Sequence, residues 1–69
     1  MTPNEMPWAL IAQWNADGKY KDIPRWNIRA AHLPATPMRK EQLVIEYEGE
    51  TYVRYKIGTK WALPQKLGA

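Results

Sequence analysis

The sequence predicts an α+β fold: two N-terminal helices packed on a two- or three-stranded antiparallel β-meander. Three observations predict it. Residues 43–57 (LVIEYEGETYVRYKI) alternate apolar and polar on both sides of a Glu48-Gly49-Glu50 tip, the period-2 pattern of a β-hairpin. Residues 5–16 hold Met6, Trp8, Leu10, Ile11 and Trp14 at helical spacing. Residues 25–33 (RWNIRAAHL) lie between Pro24 and Pro34, which suit the start and the stop of a second helix.

In chain order, helix 1 is expected from about Glu5 to Ala16. Asn4 suits its N-cap, Pro7 is tolerated in the first turn, and Asp17-Gly18 is a stop signal. Residues 19–23 (KYKDI) read as a basic connection. Helix 2 follows from Arg25 to Leu33 and ends at Pro34-Ala35-Thr36-Pro37, after which Thr36 caps one short turn through Lys40.

Two registers compete at the hairpin. A two-residue loop at Glu48-Gly49 sets Ile45 opposite Tyr52 and Leu43 opposite Arg54, mixing apolar and charged residues. A three-residue loop, Glu48-Gly49-Glu50, sets Ile45 opposite Val53 and Leu43 opposite Tyr55. Burial of one face then selects the odd loop, which turns Glu46, Tyr52, Arg54 and Lys56 outward. Gly58-Thr59 opens a further turn, and Lys60 to Leu63 read as a third strand that Pro64 confines to an edge. A loop of Gly58-Thr59-Lys60 puts Trp61 opposite Ile57 in the core. It is expected over the two-residue turn because exposing a Trp forfeits burial worth roughly 2–3 kcal/mol.

Sixty-nine residues make one small domain, 1–69, with 1–4 and 65–69 expected to fray. At this size only about 60% of the unfolded chain's surface is buried on folding. The usual staples are disulfides or a metal. The chain has no cysteine and one histidine, His32, so neither a disulfide nor a metal is expected, and no cofactor is implied. Four Trp and four Tyr supply a dense aromatic core or an interface instead. With no signal-like N-terminus, no apolar run long enough to span a bilayer and no cysteine, the chain reads as cytoplasmic.

Net charge is +3, arranged in blocks. Residues 17–40 carry Lys19, Lys21, Arg25, Arg29, Arg39 and Lys40 against Asp17 and Asp22. Residues 41–50 carry Glu41, Glu46, Glu48 and Glu50 with no base, and residues 51–69 carry Arg54, Lys56, Lys60 and Lys66. Catalysis is not expected. The chain has no serine or cysteine nucleophile, no Gly-rich phosphate loop and no paired-ligand spacing.

The leading expectation is a non-enzymatic regulatory protein that docks on a larger protein and modulates or inhibits it. Its anchors would be Trp8 or Trp14 on helix 1 and the Tyr52, Arg54, Lys56 and Trp61 face of the hairpin. The plainer reading of each is core packing and a solvated face, and helix 1 could equally pair with a second copy in a homodimer. A compact chain with this many Trp and alternating charge blocks resembles the accessory regulators of phage and mobile-element genomes.

The alternative is a nucleic-acid-binding regulator using Lys19, Lys21, Arg25, Arg29, Arg54 and Lys56, with helix 2 and the hairpin in winged-helix order. The acidic Glu48-Gly49-Glu50 tip argues against it, because a wing meets phosphates.

Overall fold

The fold, a computed structural model describing residues 1–68, is an antiparallel sheet covered on one face by a single short helix. Helix α1 is Trp8–Ala12. The strands are β1 (Lys21–Ile23), β2 (Ile28–Leu33), β3 (Gln42–Tyr47), β4 (Glu50–Ile57), β5 (Lys60–Trp61) and β6 (Gln65–Leu67). Sequential strands pair in the order β1-β2-β3-β4-β5, and β6 also pairs with β4.

Two helices on a two- or three-stranded meander is therefore overturned. Helix 1 shrinks because Pro7 forces Met6 into extended backbone (ψ 155°), so Pro3–Glu5 forms a separate 3-10 turn and α1 starts after the proline. The Trp8 indole N–H donates to the Pro3 carbonyl at 2.6 Å and folds the N-terminal segment back onto α1. Beyond α1 the chain turns at Asp17, whose carboxylate accepts the Lys19 N–H at 2.9 Å. That bond holds the carboxyl below its ordinary range.

Helix 2 is absent. Pro24–Trp26 makes one 3-10 turn, Asn27 closes it in the left-handed conformation (φ 54°), and Ile28–Leu33 runs on as β2. The basic connection supplies β1 as its hairpin partner, with Lys21 opposite Ala30 and Ile23 opposite Ile28. A nine-residue helix is too short to be stable alone. The same residues pair along all of β3 from Ile28–Tyr47 to Leu33–Gln42, which satisfies both edges of β2.

The β3–β4 hairpin closes on the two-residue loop, with Tyr47 opposite Glu50, Ile45 opposite Tyr52 and Leu43 opposite Arg54. Glu48 (φ 51°) and Gly49 (φ 77°) are both left-handed, the requirement of the tight hairpin turn whose twist matches the strands. The odd loop fails because its premise fails: both faces of the hairpin bury apolar groups. Leu43 and Ile45 are buried on one side, Val44 and Val53 on the other. The third strand likewise uses the two-residue turn, pairing Trp61 with Lys56 and Ile57 with Lys60.

Strands β5 and β6 are two parts of one edge strand. The Ala62 N–H donates to the Tyr55 carbonyl, and Gln65 pairs with Val53, so Arg54 alone faces both Leu63 and Pro64. This is a β-bulge with one extra residue, located where Pro64 has no amide hydrogen to donate. The Arg54 Nε donates to the Ala62 carbonyl at 2.8 Å and pins it. Residues 65–67, expected to fray, are instead held against β4; Ala69 lies outside the described residues.

The core lies between α1 and the sheet. Met6, Trp8 and Ile11 pack on Ile28, Ala30, Leu43 and Ile45, with Trp14, Trp26, Tyr47, Tyr52 and Trp61 around them. Residues opposite one another in register share a face, so His32, Leu43 and Arg54 also lie on this covered side.

Candidate docking surface

The sheet's other face carries three cross-strand rows: Asp22, Arg29, Glu46, Thr51 and Leu67; then Ala31, Val44, Val53 and Gln65; then Leu33, Gln42 and Tyr55. Among the described residues no helix lies over it, since α1 packs on the opposite side. The small side chains of the central row are buried, Ala31 and Val53 fully. The first row is ionic, with Arg29 3.8 Å from Asp22 and 4.0 Å from Glu46. The third row runs toward Ile57, which is 59% exposed.

This apolar end is bordered by the connection between β2 and β3. Thr36 and Arg39 exchange backbone hydrogen bonds of 2.8 and 3.1 Å around Pro37-Met38, a tight turn that Pro37 presets. The Met38 N–H also donates to Thr36 Oγ1 at 3.2 Å. The turn therefore holds Met38 outward, 94% exposed. Between it and the sheet runs a groove of about 490 Å³ lined by Met38, Arg39, Lys40, Tyr55 and Ile57. A second hollow, about 710 Å³, borders Glu41 and Lys56 and shares Met38, Arg39, Lys40 and Ile57 with it.

A polar cluster fixes the far wall. His32 is buried, with Nδ1 2.9 Å from the Trp14 carbonyl and Nε2 2.6 Å from Glu41 Oε2. A carbonyl only accepts, so Nδ1 carries a proton and donates it. Lys56 Nζ lies 3.8 Å from Glu41 Oε1 and 5.6 Å from the Trp61 ring, and Trp61 meets His32 edge-on with centroids 6.0 Å apart. The cluster ties the connecting loop to the core, and it engages the one carboxylate that lines the furrow.

Of the residues singled out from sequence, only Lys56 lines the furrow, at the hollow beside Glu41; the rest fall elsewhere. Trp8 is buried beneath α1 and Trp14 packs at the core margin with Lys21 Nζ 4.6 Å above its ring. Tyr52, Arg54, Lys56 and Trp61 do lie on one face, but it is the covered one: Tyr52 and Trp61 pack against the core, and Arg54 holds the bulge. Of the cations in the alternative set, Arg29 stands on the open face between two acids, while Arg25 lies 4.8 Å from the Trp26 ring and Lys19 is exposed near the Asp17 turn. Helix 2, on which the winged-helix order depends, is absent: Arg25 sits in a 3-10 turn and Arg29 on β2.

The expected register put Tyr55 and Ile57 in the core, whereas Ile57 is exposed and Tyr55 half-buried; Met38 carries no periodic signal. The correct hairpin register would have found Tyr55 and Ile57 on the open face, and Thr36-Pro37 followed by Met38 was the cue for an apolar turn tip. No group of three or more His, Asp or Glu among the described residues is placed to hold a metal, and no helix is long and apolar enough to cross a membrane. Family models, curated proteins and solved structures give no match to this chain, so the reading of this surface rests on its own geometry.

Proposed function

We propose that this chain is a small non-enzymatic binding protein that docks on a larger protein and modulates it, using the open face of its sheet. The observation that supports this is the pairing of a sheet face that no helix covers with exposed apolar side chains at one end. Ile57 and Met38 stand out by 59% and 94%, beside half-buried Tyr55. Exposed apolar groups gathered beside a groove mark interaction sites far more often than scattered ones do. The helix stripe and the Tyr52–Trp61 face are occupied by the core, which leaves the open face as the better anchor surface.

The nucleic-acid reading draws support from the aromatic residues beside cations near β1, where Lys21, Arg25 and Arg29 lie 4.6, 4.8 and 5.1 Å from Trp14, Trp26 and Tyr20. Those rings already stack with the chain's own cations, and Arg29 is flanked by acids, so it ranks second.

A photo-cross-linking amino acid placed at position 57, and separately at exposed Gln13 on the helix side, tests the docking reading in the cell of origin. Protein adducts from position 57 and not from position 13 are expected. Adducts from position 13 alone, or salt-sensitive micromolar binding of random oligonucleotides, would reverse the ranking.

A further inference from the structure

We infer that the furrow around Met38 recognises an acidic segment of a protein partner, anchored by an aliphatic or aromatic side chain. This rests on the docking reading above and names the chemistry of what docks.

Charge and shape carry the argument together. The two hollows share Met38, Arg39, Lys40 and Ile57, so both adjoin the same turn and together make up the furrow. Its lining holds three cations, Arg39, Lys40 and Lys56, and a single carboxylate. That carboxylate, Glu41, faces inward: one oxygen is 2.6 Å from His32 and the other 3.8 Å from Lys56. Lys60, opposite Ile57 on the edge strand, adds an exposed cation nearby, so Arg39, Lys40 and Lys60 are exposed and Lys56 is half-buried. The acids of the 41–50 block lie elsewhere, Glu46 beside Arg29 and Glu50 at 3.0 Å from Lys66. Neither Arg39 nor Lys40 forms a salt bridge among the described residues. The Arg39 Nη2 donates instead to the Pro34 carbonyl at 3.0 Å, which fixes the guanidinium at the rim.

An occupant of this furrow must bring negative charge to Arg39 and Lys40 and an apolar group to Met38, Tyr55 and Ile57. Single-stranded nucleic acid supplies the charge but reads protein surfaces by stacking, and the lining offers one aromatic ring, Tyr55, beside two flexible aliphatic side chains. A flexible thioether and a branched alkyl group suit a peptide side chain instead, and Met adapts to varied ones. Complementary charge around such an anchor sets register and speeds encounter.

Panning the full chain against a phage-displayed library of random twelve-residue peptides tests the inference. The selected sequences are expected to be net acidic with at least one aliphatic or aromatic residue. A synthesised winner should bind about tenfold more weakly to the Lys40→Glu variant, and more weakly to unmodified protein as salt rises. Ile57→Ser should weaken it as well. Both side chains are exposed, so thermal melts of the variants should match the parent. The salt series needs no variant.

Neutral or basic winners, or winners that bind both variants as well as the parent, would overturn the inference. So would displacement of a winner by a twelve-nucleotide oligothymidylate, which would assign the furrow to nucleic acid. Protein adducts from position 57 alongside non-acidic winners would leave the docking reading standing and remove only this one. Absence of adducts at position 57 would remove the docking reading itself.

Discussion

Two residues show how local chemistry decides this fold. Gly49 sits at φ 77° in the β3–β4 turn, with open space where a Cβ would go. Gly49→Ala therefore adds no clash, only the cost of a side chain in the left-handed region, about 1–2 kcal/mol. Chemical denaturation should show that loss with an unchanged slope. His32 is the opposite case, a buried ring whose nitrogens serve a carbonyl and a carboxylate. His32→Leu keeps the volume roughly but strands both oxygens, and should cost about 1–3 kcal/mol. If the variant melts with the parent, the network is solvent-compensated and contributes little.

Among elements, β2 was the hardest to read. In residues 25–33 the spacing of Trp26, Ala30 and Leu33 satisfies a helix, while Ile28, Ala30 and His32 satisfy a strand. Local pattern does not separate them over nine residues; the partner strands on both sides do. The hairpin was legible as a hairpin, because alternation and Gly49 are local. Its register was not, because burial on both faces removes the asymmetry that register arguments need. The same slip hid Tyr55 and Ile57, and with them the candidate surface.

Strand β6 makes a pH-dependent prediction. The Glu50 carboxylate accepts from Lys66 at 3.0 Å, and that hydrogen bond raises the Lys66 ammonium above the ordinary lysine value. A raised value means the contribution is fully present below the unfolded value, about 10.4, and is lost as pH climbs through the higher folded one. Leu67 methyl resonances should therefore move toward disordered values in strong alkali before the core methyls of Ile11 and Ile45 do. Simultaneous loss of all three would show that the pair does not hold β6.

The whole molecule is a sheet with unequal sides. The aromatic residues that suggested either a core or an interface mostly serve the core: Trp8 is buried, with Trp14, Trp26 and Trp61 packed around it. A 69-residue chain has one short helix to spend on cover, so the second face is left with small residues in its middle row and larger ones at one end. That division was not readable from sequence. The apolar total was visible, whereas its partition between faces depends on strand registers set by turns.

The bulge opposite Arg54 also bears on solubility. With one residue fewer, the edge from Lys60 to Leu67 would pair with β4 without interruption, and its outer row of N–H and C=O groups would be straight and unpartnered. Such an edge templates the addition of further chains. Deleting Leu63, which is 77% exposed and contributes little to the core, should leave the monomer's far-ultraviolet spectrum close to that of the parent while light scattering rises with concentration. A deletion variant that stays monomeric at millimolar concentration would show that Pro64 alone guards the edge. On this account the extra residue is a kink in an edge that would otherwise invite further chains.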